Sequence, residues 1–225
     1  MTERPFRDAA RSHDSLTARV EKATLIWLAQ RTPARINSDH LTALGLLSML
    51  GAGLSYWYAA TNPLALLAVI GFLALNWLGD SLDGTLARVR NRLRPRYGFY
   101  VDHIVDAFGA FFLLGGLALS GFMNPAVAAG LLIACLLLMI DVFLATYTLG
   151  TFEISFWKFG PTELRILLAI GNIALYVRGP FANLGGSRFL LFDVGGVIGA
   201  AALTLVLVIS VIRHTRALYR LETLS

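Results

Sequence analysis

Six long apolar runs, at about 40–60, 63–86, 99–121, 124–148, 161–178 and 189–212, alternate with short polar connections along the 225-residue chain. Each approaches the roughly 20 residues a helix needs to cross a hydrocarbon core. Turn-forming residues separate them: Thr61-Asn62-Pro63, Gly121 to Pro125, Gly160-Pro161, and Gly179-Pro180 followed by Gly185-Gly186. The fifth run is the shortest and carries Glu163 and Arg165. Ahead of the first run, Leu16, Val20, Ala23 and Trp27 recur at helical spacing, with Arg19, Glu21 and Lys22 off that stripe. That spacing predicts an amphipathic helix lying on a membrane surface. The pattern predicts an all-α integral membrane bundle of about six transmembrane helices: residues 1–37 form a cytoplasmic segment with the surface helix, and residues 38–225 form the membrane domain.

Composition sharpens this picture. Hydrophobic residues make up 56% of the chain and charged residues 15%, which excludes a disordered chain and an ordinary soluble domain. The one cysteine, Cys135, excludes a disulfide framework and a zinc–thiolate cluster. Basic residues collect before the first run, between the second and third (Arg88, Arg90, Arg92, Arg94, Arg96) and after the last (Arg213, Arg216, Arg220). The connections near 61–63 and 121–124 have none. By the positive-inside rule both termini face the cytoplasm, which an even number of spans requires. Topology and anionic headgroups account for these clusters, so no nucleic-acid partner is expected.

Carboxylates within spans are costly and point to function. Here Asp80 and Asp83 close the second run, and Asp102 and Asp106 open the third. Residues three and four apart share a helix face, so Asn76, Asp80, Asp83, Gly84 and Ala87 form one stripe and Gly98, Asp102, Asp106 and Gly109 another. The two helices are consecutive and joined by a short basic loop, so they are expected to be antiparallel neighbours, with Asp83 level with Asp102 and Asp80 with Asp106. Four carboxylates in one volume cannot all stay ionised without a compensating cation. Hard oxygen ligands select Mg²⁺, Mn²⁺ or Ca²⁺, and two such ions about 3.5–4 Å apart could clamp a pyrophosphate. Gly84 and Ala87 leave room for a ligand on the same face, and Arg88 can pair with a phosphate.

As a string, the segment reads Asp80-x2-Asp83-Gly84-x2-Ala87-Arg88-x9-Gly98-x3-Asp102-x3-Asp106. It resembles the signature of the CDP-alcohol phosphotransferase family of integral membrane enzymes, in which the gap before the second glycine varies. Asn37-Ser38-Asp39-His40-Leu41-Thr42 is similar to the polar start of that family's first span. The resemblance implies Mg²⁺- or Mn²⁺-dependent transfer of a phosphatidyl group from a CDP-alcohol, commonly CDP-diacylglycerol, to a small alcohol, with release of CMP. It implies Asp80, Asp83 and Asp102 as ligands of two ions, and Asp106 as a ligand or the general base. Gly84 and Arg88, with Thr42, Ala87 and Gly98, would contact the nucleotide. It also implies a homodimer and an active site open to the cytoplasm of a bacterial inner membrane.

Lys158 and Arg165 are candidate contacts for an acceptor bearing phosphate, although Arg165 could equally pair with Glu163. His103, one step from Asp102, points away and is expected to pack. Transfer of phosphocholine or phosphoethanolamine to diacylglycerol is the nearest alternative. An intramembrane prenyltransferase would need a second Asp-rich motif, but later spans offer only Asp141, Glu163 and Asp193. A cation transporter would carry carboxylates at mid-bilayer in several spans.

Overall fold

A computed structural model describes residues 16–149 and 161–222. Among them are seven helices: α1 (Leu16–Arg31), α2 (Ser38–Ala59), α3 (Ala65–Val89), α4 (Pro95–Leu119), α5 (Pro125–Leu149), α6 (Pro161–Arg178) and α7 (Leu191–Leu221). The last six coincide with the six apolar runs. Four of them, α3, α4, α5 and α7, are long and apolar enough to cross a membrane. Large apolar side chains stay uncovered along whole helix faces, as with Ile133, Leu137, Ile140 and Leu144 on α5. A water-soluble monomer rarely leaves patches of that extent open, so the bundle is built for a lipid surround.

Helix α2 is the spine, with α3 and α4 packed on it; α5 joins α4 to α7, and α6 leans on α3. Small residues make these approaches possible. A Cβ on Gly116 of α4 would lie 2.0 Å from the Gly53 carbonyl oxygen of α2. One on Gly79 of α3 would lie 2.6 Å from the Leu41 carbonyl oxygen. Both crossings are therefore backbone against backbone, the close approach that small residues permit between membrane helices. Around them Ala52, Tyr56, Val69, Leu73, Leu113 and Leu117 form the core, and Phe192 of α7 meets the Tyr56 ring edge-on at 6.1 Å.

The sequence predicts α3 and α4 as packed neighbours, and here the structure differs. They make almost no direct contact, because each packs on α2 instead. A second difference is the connection between α6 and α7, expected as a plain turn. It is a β-hairpin, β1 (Phe181–Leu184) against β2 (Ser187–Leu190), closed by Gly185 and Gly186 with φ of +57° and +85°. Two consecutive positive φ values match the tight turn whose twist suits antiparallel strands.

Helix α1 packs on α3, burying Leu25 and Ala29 beside Leu41, Leu82 and Leu86. Glu21 accepts a hydrogen bond from Trp77 Nε1 at 3.1 Å. The bundle-facing side of α1 therefore runs through Leu25 and Ala29. Of the predicted stripe, Ala23 and Trp27 are exposed.

Candidate active site

Local sequence sets the two ends of the site. Asn37 caps α2: its side chain accepts from the His40 amide at 3.0 Å, while its own amide donates to His40 Nδ1 at 3.2 Å. This reciprocal box satisfies two amides that the first turn leaves open, and it fixes the start of α2, with Ser38 on its first turn and Thr42 one turn on. At the other end α3 stops in a Schellman turn. The Arg92 amide bonds the Ala87 carbonyl at 2.9 Å, the Asn91 amide bonds that of Arg88 at 3.1 Å, and Asn91 takes φ +53°. Pro95 then starts α4. Arg90 reaches back to the carbonyl oxygens of Thr32 (2.7 Å), Pro33 (3.0 Å) and Ile36 (2.5 Å), tying down the α1–α2 linker. An Arg94–Asp39 ion pair joins the start of α4 to α2.

Within this frame, Thr42 Oγ1 donates to Asp83 Oδ2 at 2.6 Å, and Ser38 Oγ donates to the Asp83 carbonyl at 2.9 Å. The Gly84 amide donates to Asp83 Oδ1. Asp80 Oδ2 accepts from Arg165 of α6 at 2.7 Å. The same guanidinium donates through Nε to Asn76 Oδ1 at 2.8 Å, and Asn76 Nδ2 is anchored on the Gly45 carbonyl at 3.0 Å. Asp80 and Asp102 stand within electrostatic reach of Asp83, and all three, with Arg165, within reach of Asp106. Counting from the helix ends at 1.5 Å per residue, Asp83 and Asp102 lie about 9 and 10 Å deep, Asp80 and Asp106 about 14 and 16 Å. The four carboxylates thus lie within electrostatic reach of one another, on two helices that each pack on α2.

The remaining predicted residues divide. A Cβ on Gly84 would meet the Arg88 guanidinium at 3.4 Å, so Arg88 folds back over that glycine. Ala87 lines a cleft of about 300 Å³ with Ser38, Asp39, Arg90, Arg92 and Arg94. Gly98 is exposed, with nothing within 4 Å of where a Cβ would be. Lys158 lies outside the described residues. Arg165 engages Asn76 and Asp80, a pairing across 85 residues or more that no local pattern announces. His103 packs against the Phe99 and Phe143 rings at 4.2 and 4.8 Å. Asp141 binds Ser210 Oγ (2.5 Å) and His214 Nδ1 (3.3 Å), linking α5 to α7, and Asp193 accepts from the Asn124 amide at 2.6 Å. Sequence reasoning missed Ser38 as a contact of the site and Asn76 as the partner of Arg165. Position offered a signal for both, since Asn76 lies four residues before Asp80 and Ser38 four before Thr42.

Four carboxylates beside hydroxyl and amide donors form an oxygen set whose chemistry suits a hard divalent cation. As they stand, Asp80 and Asp83 are held by Arg165, Thr42 and the Gly84 amide. Among the described residues no three His, Cys, Asp or Glu side chains close on a common metal position. Compared with known proteins, the chain matches no family model and no curated protein.

Proposed function

We propose that the protein is a metal-dependent CDP-alcohol phosphotransferase, transferring a phosphatidyl group from a CDP-alcohol such as CDP-diacylglycerol to the hydroxyl of a small alcohol and releasing CMP. One observation supports the reading: two pairs of carboxylates, on separate helices, lie within electrostatic reach of one another. The spacing Asp80-x2-Asp83-Gly84-x2-Ala87-Arg88 through Asp106 adds the resemblance.

Asp80, Asp83, Asp102 and Asp106 would hold two Mg²⁺ or Mn²⁺ ions. Bound there, the cations offset negative charge on the pyrophosphate and on the phosphoryl in transfer. Thr42 and the Gly84 amide orient the Asp83 carboxylate by occupying part of its lone-pair space. Arg88, folded over Gly84, meets the nucleotide phosphates, with Ala87 and Gly98 beside the nucleotide. Asp106 takes the proton of the acceptor hydroxyl. That oxygen forms a bond to the phosphorus carrying the alcohol, the bond from this phosphorus to CMP breaks, and a phosphodiester results. Lys158 and Arg165 serve an acceptor that bears phosphate.

The same reading has six spans, an even number that keeps both termini and the site on the cytoplasmic side of a cell membrane. Helices α2 and α6, with 22 and 18 residues, reach about 33 and 27 Å, close to a hydrocarbon core of about 30 Å. α2 owes its milder apolarity to Gly45, Ser48, Gly51, Gly53 and Ser55, several of which face its neighbours. The exposed Ala23 and Trp27 give α1 a face for the lipid surface while Leu25 and Ala29 hold it to the bundle. Homodimerisation belongs to the resemblance.

The test is CMP release by purified protein in detergent, with CDP-diacylglycerol, Mg²⁺ or Mn²⁺, and one acceptor per reaction: glycerol 3-phosphate, inositol phosphate, inositol or serine. Release with one acceptor, lost on chelation, is expected. Silence across the panel moves the donor to CDP-choline or CDP-ethanolamine with diacylglycerol, and silence there refutes the proposal.

A further inference from the structure

Arg165 sits on α6, far in sequence from the carboxylates, yet it pairs with one of them, Asp80. Its side chain is 15% exposed and that of Asp80 29%. Nε is fixed on Asn76 and a terminal nitrogen on Asp80, while Asn76 is itself anchored to the α2 backbone. This three-part hold sets the guanidinium in one orientation, so it is a built pairing and not a chance approach of two mobile side chains. The oxygen it occupies, Asp80 Oδ2, belongs to a carboxylate that the proposed function requires as a metal ligand. A divalent ion bound to the same carboxylate would stand within a few ångströms of the guanidinium held there at 2.7 Å, and the two cations would repel each other.

We infer that Arg165 is an internal counter-cation of the site: it neutralises Asp80 before a divalent ion is bound and opposes the binding of that ion. The inference rests on the phosphotransferase reading for its cation and goes beyond it in making Arg165 a competitor of that cation. Without Arg165, Asp80 would lose its guanidinium partner and repulsion among the carboxylates would grow until metal arrived. With it, the site is closer to neutral in both states, at the cost of weaker metal affinity.

The experiment measures Mn²⁺ affinity by electron paramagnetic resonance, without nucleotide, and thermal unfolding in EDTA and in Mg²⁺, for the wild type and Arg165→Met. Arg165→Met should bind Mn²⁺ at least about tenfold more tightly, equivalent to about 1.4 kcal/mol. Its melting temperature should fall in EDTA and recover in Mg²⁺. Arg165→Lys keeps a cation but cannot span Asn76 and Asp80 together. It should shift affinity the same way by less, and it decides the matter if Arg165→Met does not fold. An equal loss of stability in EDTA and Mg²⁺, with Mn²⁺ affinity unchanged or weakened, makes Arg165 a structural link and overturns the inference while the metal site stands. Absence of saturable Mn²⁺ binding in the wild type and both variants overturns the metal site itself.

Discussion

Gly116→Ala tests whether the α2–α4 crossing sets the carboxylate geometry. The added Cβ would lie 2.0 Å from the Gly53 oxygen and 2.4 Å from its carbonyl carbon and Cα. Ordinary contact begins near 3.4 Å, so the shortfall is about 1.4 Å. Neither side can yield by rotating a side chain, because both are helix backbone, and α4 must move off α2 by about that amount. Overpacking of this kind costs about 1–3 kcal/mol. Asp102 and Asp106 ride on α4, whereas Asp83 is fixed to α2 through Ser38 and Thr42. A displacement of about 1 Å at a reacting centre costs on the order of 100-fold in rate. Gly115→Ala is the matched control, with nothing within 4 Å of its Cβ. It should be neutral or stabilising by up to about 1 kcal/mol, as alanine replaces glycine within a helix. The assays are thermal unfolding in detergent and CMP release. If Gly116→Ala matches Gly115→Ala in both, the backbone crossing does not position the site, and the reasoning fails.

Three further outcomes follow from the same contacts. Thr42→Val removes the hydroxyl on Asp83 Oδ2 at nearly constant volume and should weaken Mn²⁺ binding by about 10- to 100-fold, read by titration, with little change in melting temperature. Asp106→Asn should abolish CMP release while nucleotide binding, followed by calorimetry, persists; retained turnover removes Asp106 from the role of base. Asn91→Val places a β-branched residue at φ +53°, and should lower stability by about 1–2 kcal/mol by thermal unfolding, whereas Asn91→Gly should be tolerated.

The helices and the four aspartates were legible in sequence because both are local signals. Apolar length marks a buried or lipid-facing helix, and i, i+3 and i+4 spacing puts Asp80 with Asp83 and Asp102 with Asp106 on common faces. The hairpin was half visible, as Gly185-Gly186 marked a turn but the short flanking strands carry no strong alternation. What adjacency could not supply was the partner of each face. A short loop between α3 and α4 suggested that they pack together, yet Gly53, Gly79 and Gly116 let α2 take both. Arg165 likewise had a sequence neighbour of opposite charge in Glu163, but burial of Asn76 on Gly45 creates a better-defined seat 85 or more residues away.

The most direct test of the central claim is to follow CDP-diacylglycerol and its products together by mass spectrometry, in the purified protein with Mg²⁺ and the acceptor that gives CMP release. The account predicts that CMP and a new phosphodiester lipid appear in a one-to-one ratio, and that both vanish on chelation or in Asp83→Asn. CMP formed with phosphatidic acid in place of the phosphodiester, or a product unaffected by removal of the metal and of Asp83, would contradict it.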